Sequence, residues 1–75
     1  MVLERVREII SSQFGIDEDQ ITEDTDIIDD LGADSLDVME MMMGLEDEFS
    51  LSISEDTVSS LRTVGDVVRL IEGLM

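Results

Sequence analysis

The chemistry open to this chain is limited to hydroxyl and carboxylate oxygens, because its sequence contains no Cys, His, Lys or Tyr. A serine hydroxyl is a weak nucleophile unless a neighbouring base removes its proton, and the side chains that usually do this are missing. Carboxylates remain, but the twenty acidic residues are dense, and we expect most of them to be solvated. The composition therefore predicts that the chain is not an enzyme.

Ser35 follows a turn signal and begins a predicted amphipathic helix. Gly32 can take a positive φ at no steric cost, which suits a chain that changes direction. Either Asp34 or Ser35 can cap the helix, because its side-chain oxygen would accept a hydrogen bond from an otherwise unpaired backbone N–H group. We therefore expect the Ser35 hydroxyl to lie at a helix start, near solvent and away from the core.

The contiguous residues from Leu31 to Asp37, LGADSLD, resemble the attachment motif of acyl carrier proteins, and the resemblance extends over the whole chain. It implies that Ser35 carries a 4′-phosphopantetheine arm, which a phosphopantetheinyl transferase (holo-acyl-carrier-protein synthase) adds from coenzyme A with Mg²⁺. The thiol at the end of the arm would carry growing acyl chains as thioesters to the enzymes of fatty acid synthesis. The resemblance also implies a free-standing, monomeric carrier in the cytoplasm.

A second set of residues is expected to bind partner proteins. Asp34 and Asp37 match acids that flank the attachment site in the family. The other expected residues are the apolar Leu36, Met39 and Met43, called the apolar strip below, and the acidic Glu40, Glu46 and Asp47. A helical wheel independently gives the strip and the acids at 37, 40 and 47, whereas Glu46 rests on the resemblance alone. The alternative is that the apolar strip lies buried beneath the preceding loop.

The charge of the chain restricts its partners. Four Arg residues face twenty acids, which gives a formal net charge of −16, and no positive charge lies between residues 8 and 61. Such a surface would repel nucleic acid and anionic membranes. It favours proteins with basic patches, because complementary fields speed and orient their encounter. No run of about 18 apolar residues suggests a membrane span, and the N-terminus lacks the pattern of a signal peptide.

Apolar residues at helical spacing predict a first helix of about a dozen residues that ends before Gly15. Residues 16–34 show no sustained period and are rich in acids. We expect an ordered loop with a short helical turn at residues 29–31, held to the domain by Ile16, Ile21, Ile27, Ile28 and Leu31. The acids do not fit an EF-hand calcium loop, because the sixth and twelfth positions lack the required Gly and Glu. We therefore expect no specific metal site.

The second helix should run from about Ser35 to Phe49. Its core face is predicted to contain Val38, Met42, Leu45 and Phe49, with Met41 at one edge. Four of the six Met residues lie in this helix. They suit either a core that opens to admit an acyl chain or ordinary gap-filling, because Met is flexible and polarizable.

Two further helices complete the predicted fold. Ser54 is expected to cap a short third helix after a linker at residues 50–54, and Thr63 to cap the last helix with Asp66 in a capping box. No useful stretch alternates with period two, so we expect no sheet. The prediction is an all-α, four-helix acyl-carrier-like bundle with three longer helices, a short third helix and a long first loop, in a single domain of residues 1–75.

Some residues depart from the family pattern. Ser54 stands where many fatty-acid carriers have Pro, and Ser59 and Ser60 make the third helix more polar than usual. These departures leave the cargo open between a main or dedicated fatty-acid carrier and a carrier of D-alanine or a polyketide intermediate. An alternative of another class is an acidic interaction module that never carries an arm.

Overall fold

The computed structural model describes residues 2–75 and contains four α-helices. They are α1 (Val2–Phe14), α2 (Ser35–Phe49), α3 (Glu55–Ser59) and α4 (Val64–Leu74). Over these residues no strand forms, and a single isolated antiparallel bridge pairs Asp26 with Thr63. The predicted all-α fold with a short third helix is therefore confirmed. Within the same residues, no helix is both long enough and apolar enough to cross a membrane.

The first helix ends where the sequence predicts. Gly15 has a φ of 67°, and its N–H group donates to the Ser11 carbonyl at 2.9 Å. A left-handed residue at this position satisfies a carbonyl at the helix end, and glycine adopts that conformation without a Cβ penalty. The following 3₁₀ turn at Glu18–Gln20 was not predicted. It is fixed by a long-range contact, because Arg7 Nε donates to the Glu18 carbonyl at 3.1 Å.

The long first loop is ordered by its apolar side chains. Ile21 and Ile27 are buried in the core, as expected for anchors, and Ile16 and Leu31 are partly buried against it. Ala33 is also buried, which the sequence did not predict. Ile28 is nearly half exposed, so its predicted anchoring role is wrong; it lies on the lip of a cleft instead. The predicted helical turn at residues 29–31 is a non-helical turn, in which the Leu31 N–H group donates back to the Asp26 carbonyl at 3.1 Å.

The same loop is joined to the start of α4 by backbone hydrogen bonds, which we call the loop–α4 seam. The N–H of Ile27 donates to the Arg62 carbonyl at 2.9 Å, that of Val64 to the Thr25 carbonyl at 3.0 Å, and that of Gly65 to the Glu23 carbonyl at 2.9 Å. Backbone groups paired in this way carry no desolvation cost when they are covered. The seam therefore fixes the loop against the helical bundle.

The core lies between α1, α2, α4 and the loop. Its buried side chains include Val6 and Ile10 of α1, Met41, Met42 and Leu45 of α2, and Val64, Val67, Val68 and Ile71 of α4. The predicted core face of α2 is shifted, because Met41 and Leu45 are fully buried whereas Val38 and Phe49 are only partly buried. Val38 stays partly open because it lines the cleft between α2 and α3.

Candidate functional site

The start of α2 is held by a capping box of two aspartates. The Asp37 N–H group donates to Asp34 Oδ1 at 2.9 Å, and the Asp34 N–H group donates to Asp37 Oδ2 at 3.3 Å. Of the two caps that the sequence allowed, Asp34 is therefore the one used. Ser35 is the first residue of the helix and is exposed. Among the hydrogen bonds within residues 2–75, none involves its hydroxyl, so this group does not hold the helix.

One backbone torsion angle and two hydrogen bonds set the direction in which α2 leaves the loop. Gly32 has a φ of 66°, which turns the chain as predicted. The buried Ala33 donates its N–H group to the Ile27 carbonyl at 3.3 Å. From α1, Gln13 Nε2 donates to the Asp37 carbonyl at 2.8 Å. Sequence reasoning missed Gln13, and no local pattern marks it, because its partner is far away in the chain.

The apolar strip is exposed. Leu36, Met39 and Met43 keep 63%, 54% and 61% of their surface accessible, respectively. The alternative that the strip lies buried beneath the loop is therefore wrong. Apolar side chains grouped on one face are typical of surfaces that bind another protein. The structure brings this face together with Ser35, because all four residues lie within the first nine residues of α2.

The acids expected to bind partners fall into three groups. Glu40 and Asp47 are exposed, and Asp34 and Asp37 also serve as the helix cap. Glu46 is half-buried, and its Oε2 accepts the Ile53 N–H group at 2.8 Å. One oxygen of Glu46 therefore fixes the linker after α2, a contact that its position on the helical wheel did not indicate.

Each Arg of the chain is engaged by an acid or by a backbone carbonyl. Arg5 pairs with Glu8 and Glu48, Arg7 donates to the Glu18 carbonyl, Arg62 lies 3.4 Å from Asp26, and Arg69 lies 2.7 Å from Asp66. These are mostly exposed pairs of small energetic value. Helix α2 itself contains acids and no cation, and Arg5 pairs with its Glu48, so α2 carries a net negative charge.

Asp26 is the acid that the loop holds most specifically. Its Oδ1 accepts the N–H groups of Asp29 at 2.8 Å and Ile28 at 2.9 Å. These bonds, together with the Arg62 guanidinium, hold the pKa of the Asp26 carboxyl below its usual value. Between residues 2 and 75, no group of three or more metal-ligating side chains comes together. The carboxyl of Asp26 thus fixes the turn at residues 26–29 and ties it to Arg62.

A cleft of about 890 Å³ with a mostly apolar lining lies between α2, α3 and the loop, and Ser35 is one of its lining residues. Its other polar lining residues are Glu46, Glu55, Ser59 and Arg62. Its apolar lining includes Val38, Met41, Met42, Ile53, Val58 and Leu61. Helix α3 forms one wall of the cleft and contributes no buried residue. An exposed, unengaged serine hydroxyl beside such a cleft fits a covalent, flexible arm, whereas the neighbouring Asp34 and Asp37 would disfavour binding of a free phosphate.

Comparison with known proteins agrees with this geometry. Residues 4–71 match the family model of the phosphopantetheine attachment site. The structure is similar to the acyl carrier protein of Enterococcus faecalis, with 44% identity, a TM-score of 0.84, and coverage of 99% of this chain and 94% of that one. It is also similar to a Mycobacterium tuberculosis protein assigned to the acyl carrier proteins, with 33% identity, a TM-score of 0.91 and 97% coverage of both chains. The chain therefore belongs to the acyl carrier protein family, whose members are non-catalytic carriers of a 4′-phosphopantetheine group.

Proposed function

We propose that residues 1–75 act as one carrier domain and that Ser35 is the residue to which the arm is attached. The observation that supports this most strongly is the position of Ser35 as the exposed first residue of α2, capped by Asp34. A serine that capped the helix itself would lose about 0.5–2 kcal/mol of helix stability if its oxygen could no longer accept a backbone hydrogen bond. Because Asp34 accepts the capping hydrogen bond, modification of Ser35 does not cost this helix stability.

The attachment step needs a base, and the chain offers only carboxylates for that role. The Ser35 hydroxyl would form a P–O bond to the phosphopantetheine phosphorus of coenzyme A, and 3′,5′-ADP would leave as the old P–O bond breaks. We propose that the serine proton passes to a base of the transferase, because the chain has no His, Lys or Cys and the neighbouring Asp34 and Asp37 carboxylates accept the hydrogen bonds of the helix cap. The attached arm supplies a terminal thiol that carries acyl groups as thioesters.

Docking of partners is proposed to use the apolar strip and the acids around it. Leu36, Met39 and Met43 offer apolar contacts next to Ser35, while Glu40 and Asp47 are exposed for pairing with basic side chains. Rim charges of this kind mainly raise the rate of association, and buried apolar groups supply most of the affinity. We propose that the partners are the phosphopantetheinyl transferase and then the enzymes of fatty acid synthesis, all with basic patches. The proposal includes a monomeric carrier in the cytoplasm.

The cleft beside Ser35 supports a fatty acyl cargo. Its apolar lining can shield a hydrocarbon chain from water, and each buried methylene contributes about 0.8 kcal/mol. D-alanine would gain little from such a lining, because it is short and charged. A polyketide intermediate is a less favoured cargo, because two thirds of the residues that line the cleft are apolar and few polar groups are available to its oxygens.

The attachment proposal is tested by incubating the chain with coenzyme A, Mg²⁺ and a broad-specificity transferase and measuring the intact mass. We expect one phosphopantetheine on the wild-type chain and none on Ser35→Ala. Ser54→Ala, which removes the capping serine of α3, is the matched control and should still be modified. A chain that gains no arm, or a Ser35→Ala variant that does, would overturn the proposal.

The cargo is tested on the modified chain by loading it with either a long fatty acyl group or D-alanine. Backbone and methyl NMR shifts of cleft residues such as Val38 and Val58 report whether the cargo enters the cleft. We expect the fatty acyl chain to shift these signals and D-alanine to leave them unchanged. Equal, small shifts with both cargoes would remove the support for a fatty acyl carrier.

A further inference from the structure

Methionine supplies the readily oxidised side chains of this protein, because the sequence has no Cys, Trp or Tyr. Four of the six Met residues are crowded into positions 39–43 of α2. They divide into two pairs of opposite exposure: Met39 and Met43 are more than half exposed, whereas Met41 and Met42 are 0% and 3% exposed. An oxidant in solution therefore reaches Met39 and Met43 more readily than Met41 and Met42.

The exposed pair lies on the surface proposed for docking. Met39 and Met43 are four residues apart, which places their side chains next to each other on one helix face. With Leu36 they form the apolar strip, so two of its three side chains carry an oxidisable sulfur. Oxidation to the sulfoxide turns a flexible apolar side chain into a polar one and disrupts surfaces that bind through methionine.

We propose that Met39 and Met43 form a methionine oxidation site that switches off partner docking at α2; this rests on the proposed docking function. A hydroperoxide is the oxidant. The thioether sulfur attacks the peroxide oxygen, an S–O bond forms, the O–O bond breaks, and the peroxide is reduced by two electrons to water or an alcohol. Methionine sulfoxide reductases, supplied with a thiol reductant, reverse the change.

The switch acts on docking and leaves the fold intact. Met41 and Met42 contribute to the core and have almost no accessible surface, so they react more slowly than the strip. In the free carrier a sulfoxide at position 39 or 43 stays hydrogen-bonded to water, so oxidation there does not destabilise the fold. On docking the sulfoxide must give up that water against an apolar partner surface, which weakens the complex.

The test uses the chain before arm attachment, because the thiol of the arm would itself react with peroxide. After treatment with hydrogen peroxide, peptide mass spectrometry locates the added oxygens, and the rate of arm transfer by the transferase reports docking. We expect Met39 and Met43 to gain oxygen before Met41 and Met42, and the transfer rate to fall roughly tenfold or more. Helicity measured by circular dichroism should not change, and the reductases should restore the rate.

Two variants separate the strip from other methionines. Met39→Leu/Met43→Leu keeps the strip apolar and removes both sulfur atoms. Whatever its rate of arm attachment before peroxide, that rate should be unchanged after peroxide. Met75→Leu removes another exposed methionine, at the end of α4, and should remain as sensitive as the wild type. An unchanged rate in wild-type chain oxidised at Met39 and Met43, or an equal loss in the double variant, would overturn the inference. Failure of the untreated chain to accept the arm would overturn the proposed function, and the inference with it.

Discussion

The starts of α2 and α4 use the same capping device for different ends. Asp34 and Asp37 form a capping box at α2, and Thr63 and Asp66 form one at α4. Both boxes satisfy backbone N–H groups that a helix start leaves unpaired. The residues that follow differ: the first two of α4 are buried, whereas the first two of α2, Ser35 and Leu36, are exposed.

The start of α4 is therefore called the anchor, because its first residues pack in the core. The start of α2 is called the display side, because its first residues are exposed to solvent. The start of α4 is held by the loop–α4 seam, and its Asp66 accepts further hydrogen bonds from the Arg62 N–H group and the Arg69 guanidinium. The first turn of α2 contains no cation. The Ser35 hydroxyl at its start makes no hydrogen bond within residues 2–75. A capping box thus fixes a helix without deciding whether the first turn serves the core or a partner.

Two leucines of α2 give the largest expected contrast. Leu45 is fully buried and Leu36 is mostly exposed, so the same substitution probes core and display in one helix. Leu45→Ala should cost about 2–5 kcal/mol of unfolding free energy because it leaves a cavity. Leu36→Ala should change stability by less than about 0.5 kcal/mol but slow arm transfer. Urea unfolding and transfer rates check both, and equal stability losses would contradict the contrast.

Acid should weaken the α4 anchor through Asp66. The backbone N–H groups of Thr63 and Arg62, and the Arg69 side chain, hold the pKa of Asp66 below its usual value. Its stabilising effect is therefore complete above the unfolded pKa of about 3.9 and is lost as the pH falls through the lower folded pKa. The stability gap between wild type and Asp66→Asn should close over that range. A gap of constant size, measured by urea unfolding at several pH values, would show that the carboxylate is not the source.

Two glycines of α4 test how closely the loop approaches the anchor. A Cβ at Gly65 would lie 3.0 Å from the Glu23 carbonyl oxygen, whereas a Cβ at Gly73 would meet nothing within 4 Å. Gly73→Ala should stabilise the helix by up to about 1 kcal/mol, because alanine has less backbone freedom to lose. Gly65→Ala should destabilise the protein despite the same propensity gain. Thermal melts of both variants check the signs, and two stabilising substitutions would show that the seam is loose.

Salt should give the smallest change in stability, because it screens acids that are spread over the loop and α2. Clustered acids repel one another in the compact state, and the Debye length falls from about 30 Å at 0.01 M salt to about 3 Å at 1 M. We therefore expect NaCl or Mg²⁺ to raise the melting temperature, and less so in Glu40→Gln/Asp47→Asn. Calorimetry at several ionic strengths checks this, and a melting temperature indifferent to salt would show that the repulsion is negligible.

Features set by neighbouring residues could be predicted from the sequence, and those set by distant ones could not. The stop at Gly15 and the Thr63–Asp66 box follow from local capping rules, and both are confirmed. The contacts of Gln13 with Asp37 and of Glu46 with Ile53 depend on how the chain folds back on itself. For the same reason the periodicity of α2 located a core face but misplaced its centre.

The apolar strip shows the same division within the candidate site. Spacing along α2 predicted that Leu36, Met39 and Met43 share a face, and this is a local property of the helix. Whether the preceding loop covers that face depends on tertiary structure, and the sequence left both outcomes open. The loop instead turns toward α4 through the seam, which leaves the strip exposed.

The central claim is that the start of α2 displays Ser35 while the start of α4 anchors the fold. It is tested most directly by measuring both arm attachment and unfolding free energy for Ser35→Ala and Thr63→Ala. We predict that Ser35→Ala keeps its stability and accepts no arm, whereas Thr63→Ala loses about 0.5–2 kcal/mol and still accepts the arm while folded. A Ser35→Ala chain that still gains phosphopantetheine would contradict the account.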